Sequence, residues 1–248
     1  MHTDRRKFLA GAGASALALS FAPDSALAQT GGGSAGDRAV AALCDQVLSG
    51  DLLIGPFDAT LLGLDVGDRA PLRRLLGPGG KADDLARACH AKAMLEAVRA
   101  IDPVGLSEIW QVRREVVEHM LEQRLVPASF DIPDVGSPYR LSQQDGAYAS
   151  VPDLLNSAHP VESSSDAEAY LARLAAFSGL LREETEAQAE EARRGYLAPG
   201  WALDLAAKQI EAQLASAPMD SGMTGSLARR TKEKGIAGDW AARAARLL

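Results

Sequence analysis

Nowhere in the 248-residue chain do apolar and polar residues alternate with period two over the length of a strand. Apolar residues instead recur at helical spacing in one run after another, so the expected fold is all-α, a multi-helix array. Val40, Leu43, Val47 and Leu48 predict a short helix over Asp37 to Leu48. The Gly-, Asp- and Pro-rich stretch from Ser49 to Gly80 reads as loop with at most short helical turns. A helix follows from Asp83 to Ile101, with Leu85, Ala88, Cys89, Lys92, Leu95, Val98 and Arg99 on a largely apolar stripe, closed by Asp102-Pro103. Ser107 is placed to cap the next, which runs to about Val126 and stops at Pro127. Its stripe is Ile109, Val112, Val116, Val117, Met120, Leu121 and Leu125.

Residues 128–164 are punctuated by Pro and Gly and read as a long irregular segment, the kind that often carries function. Ser165 and Glu168 have capping-box spacing and open a helix with Tyr170, Leu174, Phe177 and Leu181 on one face. Arg193-Arg194-Gly195 ends it. Pro199 opens another through Leu203, Ala206, Ile210 and Leu214, and 227–248 is helical with a break around Gly235 to Gly238.

Three segments organise the chain. Residues 1–28 read as a twin-arginine signal peptide: Arg5-Arg6-Lys7-Phe8-Leu9, an apolar run to Ala22, then Ala26-Leu27-Ala28 with small residues at a cleavage site. The apolar run is shorter than the roughly 20 residues that span a bilayer, so a permanent membrane anchor is not expected. Export through the twin-arginine machinery to the periplasm or beyond is. Residues 29–36 form a Gly/Ser-rich linker, and 37–248 a helical domain. With 26 Lys+Arg against 33 Asp+Glu the net charge is −7, which argues against nucleic acid as a partner. Cys44 and Cys89 have no Cys or His at ligand spacing and read as small core residues, with a disulfide open as an alternative.

Little in the chain carries chemistry. There is no Gly-x-Ser-x-Gly elbow, phosphate loop or His-Glu-x-x-His helix, so no catalytic residue and no metal ligand is assigned. Glu115 and His119 share a helix face, but catalytic zinc generally takes three protein ligands and no third stands nearby. The acidic run Glu183, Glu184, Glu186, Glu190 and Glu191 reads as a solvated face, and the basic segment after Gly225 as a possible partner for it. The richest stretch is Ser142-Gln143-Gln144-Asp145-Gly146-Ala147-Tyr148, with His159-Pro160 soon after. Its amides both donate and accept, which suits a peptide backbone. Gln143, Gln144, Asp145, Gly146, Tyr148 and His159 are therefore the candidate substrate contacts; the competing view is a loop satisfying its own backbone.

Pro138-Tyr139-Arg140-Leu141-Ser142-Gln143-Gln144-Asp145-Gly146, Val151-Pro152-Asp153-Leu154-Leu155, His159-Pro160-Val161 and Asp166-Ala167-Glu168-Ala169-Tyr170-Leu171-Ala172-Arg173-Leu174 resemble the bacterial domain of unknown function 885. Lys234-Gly235-Ile236-Ala237-Gly238-Asp239-Trp240 is similar to a subset of that family. The resemblance covers most of residues 37–248 and rests on loosely spaced residues rather than one diagnostic motif. It implies an exported, mainly helical protein related to zincin-type zinc peptidases, in which a helical His-Glu pair and a further His hold zinc and activate water. That motif lies in the second half of longer family members and is absent here. The chain therefore looks like the N-terminal half of a larger helical zincin-like fold, with an unmatched C-terminal half as its partner. Zinc is expected only where that half exists. Arg246-Leu247-Leu248, in mid-helix by pattern, fits this expectation. Three readings compete: the inactive N-terminal part of a zinc peptidase that binds peptide, a non-catalytic helical binding protein, and a helical bundle with metal at Glu115 and His119.

Overall fold

A computed structural model of the chain describes residues 33–135 and 139–248; the expected signal peptide and residues 29–32 of the linker lie outside them. Helices dominate and no strand occurs among the described residues, as the periodicity requires. In chain order they are α1 (Ala35–Ile54), α2 (Pro56–Leu61), a 3-10 segment (Gly67–Arg74), α3 (Gly80–Ala100), α4 (Glu108–Phe130) and α5 (Ala147–Asp153). A π-helical turn (Leu154–Ala158) continues α5, and α6 (Ser164–Arg193), α7 (Gly200–Leu214), α8 (Gly222–Glu233) and α9 (Trp240–Ala245) follow.

Two large apolar cores result, beside a small one of Leu52, Ala59 and Leu72. Leu43 and Val47 of α1, Ala91, Leu95 and Val98 of α3 and Leu121 of α4 close a three-helix unit. The larger core surrounds the first half of α6: Tyr170, Leu171, Leu174 and Phe177 meet Val151, Leu154 and Leu155 from α5 and the π turn, Leu227 of α8 and Trp240 of α9. The expected α6 stripe is thus confirmed. The α4 stripe is only half used, because Ile109, Val112 and Val116 remain exposed.

Several boundaries differ from expectation for identifiable reasons. α1 starts inside the supposed linker, where Ser34 Oγ accepts from the Asp37 amide at 3.1 Å and Asp37 Oδ2 accepts from the Ser34 amide at 3.2 Å. It also runs through Gly50, which serves as a contact rather than a breaker: a Cβ there would lie 2.1 Å from Cε1 of His90 on α3. Pro127 sits in the last turn of α4 instead of ending it, and the helix stops only at Asp131, in the left-handed region at φ 52°. The segment 128–164 is less irregular than its prolines suggest, since α5 and the π turn lie within it. The cap of α6 is Ser163, not Ser165. Its Oγ accepts from the Asp166 amide at 3.2 Å and donates to Asp166 Oδ2 at 2.8 Å. Both cysteines are free, Cys44 half-buried and Cys89 exposed, so Cys89 is not a core residue.

Candidate functional site

The core-facing stripe of α6 changes character half-way. Tyr170, Leu174, Phe177 and Leu181 are followed at the same alternating spacing of four and three by Glu184, Gln188 and Glu191. Positions that ought to be apolar become polar, and the stretch from Phe177 to Gln188 forms the floor of a groove of about 970 Å³. Phe177, Leu181, Glu184 and Gln188 line the floor. Tyr148, Pro152 and Asn156 form one wall; Ile210, Gln213 and Leu214 of α7 form the other. Met223 and the Leu247–Leu248 pair close one side, so the lining is mainly apolar with a few amides.

Pro152 explains how the α7 wall is attached. A proline has no amide hydrogen, so the carbonyl four residues earlier in α5, that of Tyr148, has no helical donor. The Gln213 side-chain amide takes that place, donating to Tyr148 O at 3.1 Å. The Tyr148 hydroxyl meanwhile lies 2.8 Å from Ser142 O and 2.7 Å from the Gln209 side chain. Only Ala202 and Ala206 of α7 are buried, while Trp201, Leu205 and Leu214 are exposed. Polar tethers at Tyr148 thus do much of the work of holding this helix.

The predicted site residues separate. Tyr148 lines the groove. Gly146 precedes α5 as its N-cap. Gln144 and Asp145 are exposed and Gln143 is half-buried; none of the three lines the groove. Asp145 closes its own turn, accepting from Ser142 Oγ at 2.6 Å, while Ser142 Oγ accepts from the Gln144 and Asp145 amides. Ser142 and Asp145 thus satisfy part of the loop's own backbone.

His159 is fully buried and does not line the groove. Its Nε2 lies 3.0 Å from Asp166 O, its Nδ1 3.1 Å from Nη1 of Arg173, and its ring meets Tyr170 edge-on at 5.4 Å. Because Nδ1 faces a guanidinium donor, it must accept, and Nε2 carries the proton. Burial, reinforced by the Arg173 and Arg230 charges, pushes the imidazole down to about 4. Arg173 itself is fully buried and satisfied by neutral acceptors: Leu75 O at 2.9 Å, Pro56 O at 3.1 Å and Thr60 Oγ1 at 2.7 Å. Thr60 passes its own proton to Asp65 Oδ2 at 2.8 Å, and Asp65 pairs with Arg73, which also reaches Asp166 at 2.5 Å. The network ties α2, the 3-10 segment and the start of α6 together; it is architecture.

The acidic run of α6 is a solvated face only in part: Glu183, Glu186 and Glu190 are exposed, while Glu184 is half-buried and Glu191 buried. Glu183 Oε2 accepts from the Gly79 amide at 2.8 Å. Glu191 is fully buried; its Oε1 pairs with Arg140 Nε at 2.7 Å and Lys81 at 3.4 Å, while its Oε2 has no hydrogen-bond partner. Glu184 lines the groove, with Oε2 accepting from the Ala147 amide at 2.7 Å. Burial raises its carboxyl above the usual range. Nor does the basic C-terminal segment pair with this run: Lys234 meets Glu162, and Arg243 grips Glu168 at 2.6 and 2.7 Å. Sequence reading missed Arg140, Glu184, Gln188 and Gln213. The legible signal was the polar continuation of an apolar stripe.

Among the described residues no three His, Cys, Asp or Glu side chains come together as a metal site, and Glu115 and His119 are both exposed on α4. No helix among them is long and apolar enough to cross a membrane. The family described as "Bacterial protein of unknown function (DUF885)" matches residues 56–248, most of the chain. The chain belongs to the DUF885 family. The match takes in everything from α2 onward, including every residue of the groove, and leaves out α1. Neither a curated protein nor a solved structure matches the chain.

Proposed function

We propose that this DUF885 chain is a peptide-binding module: it holds an extended peptide segment, apolar side chains down, in the groove between α5, α6 and α7. The observation that carries this is the groove itself. About 970 Å³ of largely apolar lining carries the amide of Asn156, which can both donate to and accept from a peptide backbone, and those of Gln188 and Gln213, which keep part of that capacity beside their bonds to Leu141, Tyr196 and Tyr148. The resemblance to zinc peptidases supports peptide as the ligand class. No three possible ligands come together among the described residues, so zinc-dependent hydrolysis would need ligands from outside them, and the chain is taken to bind peptide without zinc-dependent cleavage.

The test uses fluorescent leucine-rich peptides and the 248-residue chain. Ile210→Asp with Leu214→Asp places charge on the α7 wall at positions outside the fully buried core. Binding should weaken by about tenfold or more while the thermal transition stays put. Unchanged affinity would place the peptide elsewhere. Chelator-sensitive cleavage of the same peptides would overturn the non-hydrolytic reading.

A further inference from the structure

Glu184 is an acid set into an apolar surface with only one of its two oxygens hydrogen-bonded. Oε2 takes the Ala147 amide, and no hydrogen bond or ion pair within the described residues reaches Oε1. That oxygen is also not among the polar atoms sealed from solvent without a partner, so it is reachable. Glu184 lines two cavities at once, the large apolar groove and a smaller polar pocket of about 270 Å³ beside Gly80, Asp83 and Arg87. An unpaired carboxylate in such a place selects for a cation or a strong donor.

The other charge at the divide does not compete. Arg140 lines both cavities, but each of its three nitrogens already has an acceptor: Nε to Glu191, Nη1 to Gly80 O at 3.2 Å and Nη2 to Asp84. Its hydrogen bonds are thus committed to Glu191, Gly80 and Asp84, and Glu184 Oε1 is left without a direct cationic partner. The net charge of −7 draws cationic ligands in the same direction.

We infer that Glu184 is a specificity-determining anchor for a basic side chain: the groove takes a peptide whose apolar residues lie along Phe177, Leu181 and Ile210 and whose lysine or arginine reaches Glu184 Oε1. This rests on the peptide-binding reading above, and the experiment separates the two. Acetylated, amidated leucine-serine peptides differ only at a central residue: lysine, norleucine or glutamate. A fourth carries norleucine and a free α-amine, so that a terminal ammonium can be told from a side chain. Fluorescence anisotropy with the 248-residue chain should show lysine binding about tenfold or more tighter than norleucine. Glu184→Gln keeps an acceptor for Ala147 and should erase that gap, bringing lysine and norleucine to the same affinity. In the unmodified chain the lysine advantage should shrink as salt rises while norleucine affinity does not fall, a readout that needs no variant. Equal affinity for lysine and norleucine, a gap that survives Glu184→Gln, or preference for glutamate or for the free amine overturns the anchor but leaves groove binding standing. Failure of every peptide to bind overturns both.

Discussion

At the residue scale the decisive fact about His159 is which nitrogen holds the proton. Protonating Nδ1 would remove the acceptor for Arg173 and set two cations against each other inside the core, near a third, Arg230. The native imidazole therefore resists protonation until about pH 4, whereas an unfolded chain takes the proton near 6.5. Between those values the unfolded state binds more protons, so stability falls as pH drops through that window and gains nothing further from this group below it. The expected loss is roughly 3 kcal/mol across the window. Urea denaturation at pH 7.5, 5.5 and 4.5 measures it. His159→Gln should be less stable at pH 7.5, yet flatter with pH than the unmodified chain. Parallel pH curves for the two proteins would show that the acid sensitivity arises elsewhere, for instance at Asp65 or Asp166, whose carboxyls are held low by hydrogen bonds that outweigh their burial.

At the element scale the sequence was generous about helices and poor about their ends. Period and length sufficed for α3, α4 and α6, because a buried stripe is a property of a whole helix. A cap is a property of one side chain, and Ser163, Ser164 and Ser165 all compete for the start of α6. Tertiary contacts decide among them. Asp166 must receive Ser163 while also holding Arg73 at 2.5 Å and the Glu162 amide at 3.1 Å, and Glu168 is drawn off to Arg243. Ser163→Ala should accordingly cost about 1–2 kcal/mol, and Ser165→Ala within about 0.5 kcal/mol of nothing. Thermal melts of the two variants side by side distinguish them; equal losses would restore the capping box read from the sequence. The groove was illegible for a related reason. Loop composition pointed to Gln143, Gln144 and Asp145, residues rich in polar atoms. Its polar character in fact comes from helical positions such as Glu184, Gln188 and Gln213, spaced as core residues would be.

At the scale of the molecule, the start of α3 forms a seam between the three-helix unit and the α6 core. Gly79 and Gly80 open α3 directly against α6: Gly79 donates to Glu183 Oε2, and a Cβ on Gly80 would stand 2.5 Å from Glu183 O. Below them Arg140 and Lys81 converge on the buried Glu191, and Arg140 extends to Asp84 of α3. The backbones can approach this closely only because position 80 carries no side chain and holds φ 56°. The same seam sets Glu183, Glu184 and Glu191 in place, so the geometry of the groove floor depends on how the two cores dock. Gly195 is the internal control. It too has positive φ, at 88°, but nothing lies within 4 Å of its would-be Cβ. Gly195→Ala should cost only the backbone strain of about 1–2 kcal/mol. Gly80→Ala adds a collision with a main-chain oxygen that cannot step aside without separating the cores, and should cost roughly 2 kcal/mol more. Because that separation would tilt α6 under the groove, Gly80→Ala should also weaken peptide binding, whereas Gly195→Ala leaves it intact. Denaturation and anisotropy on the same two proteins decide the point: equal destabilisation would mean that the docking of the two cores does not depend on this contact.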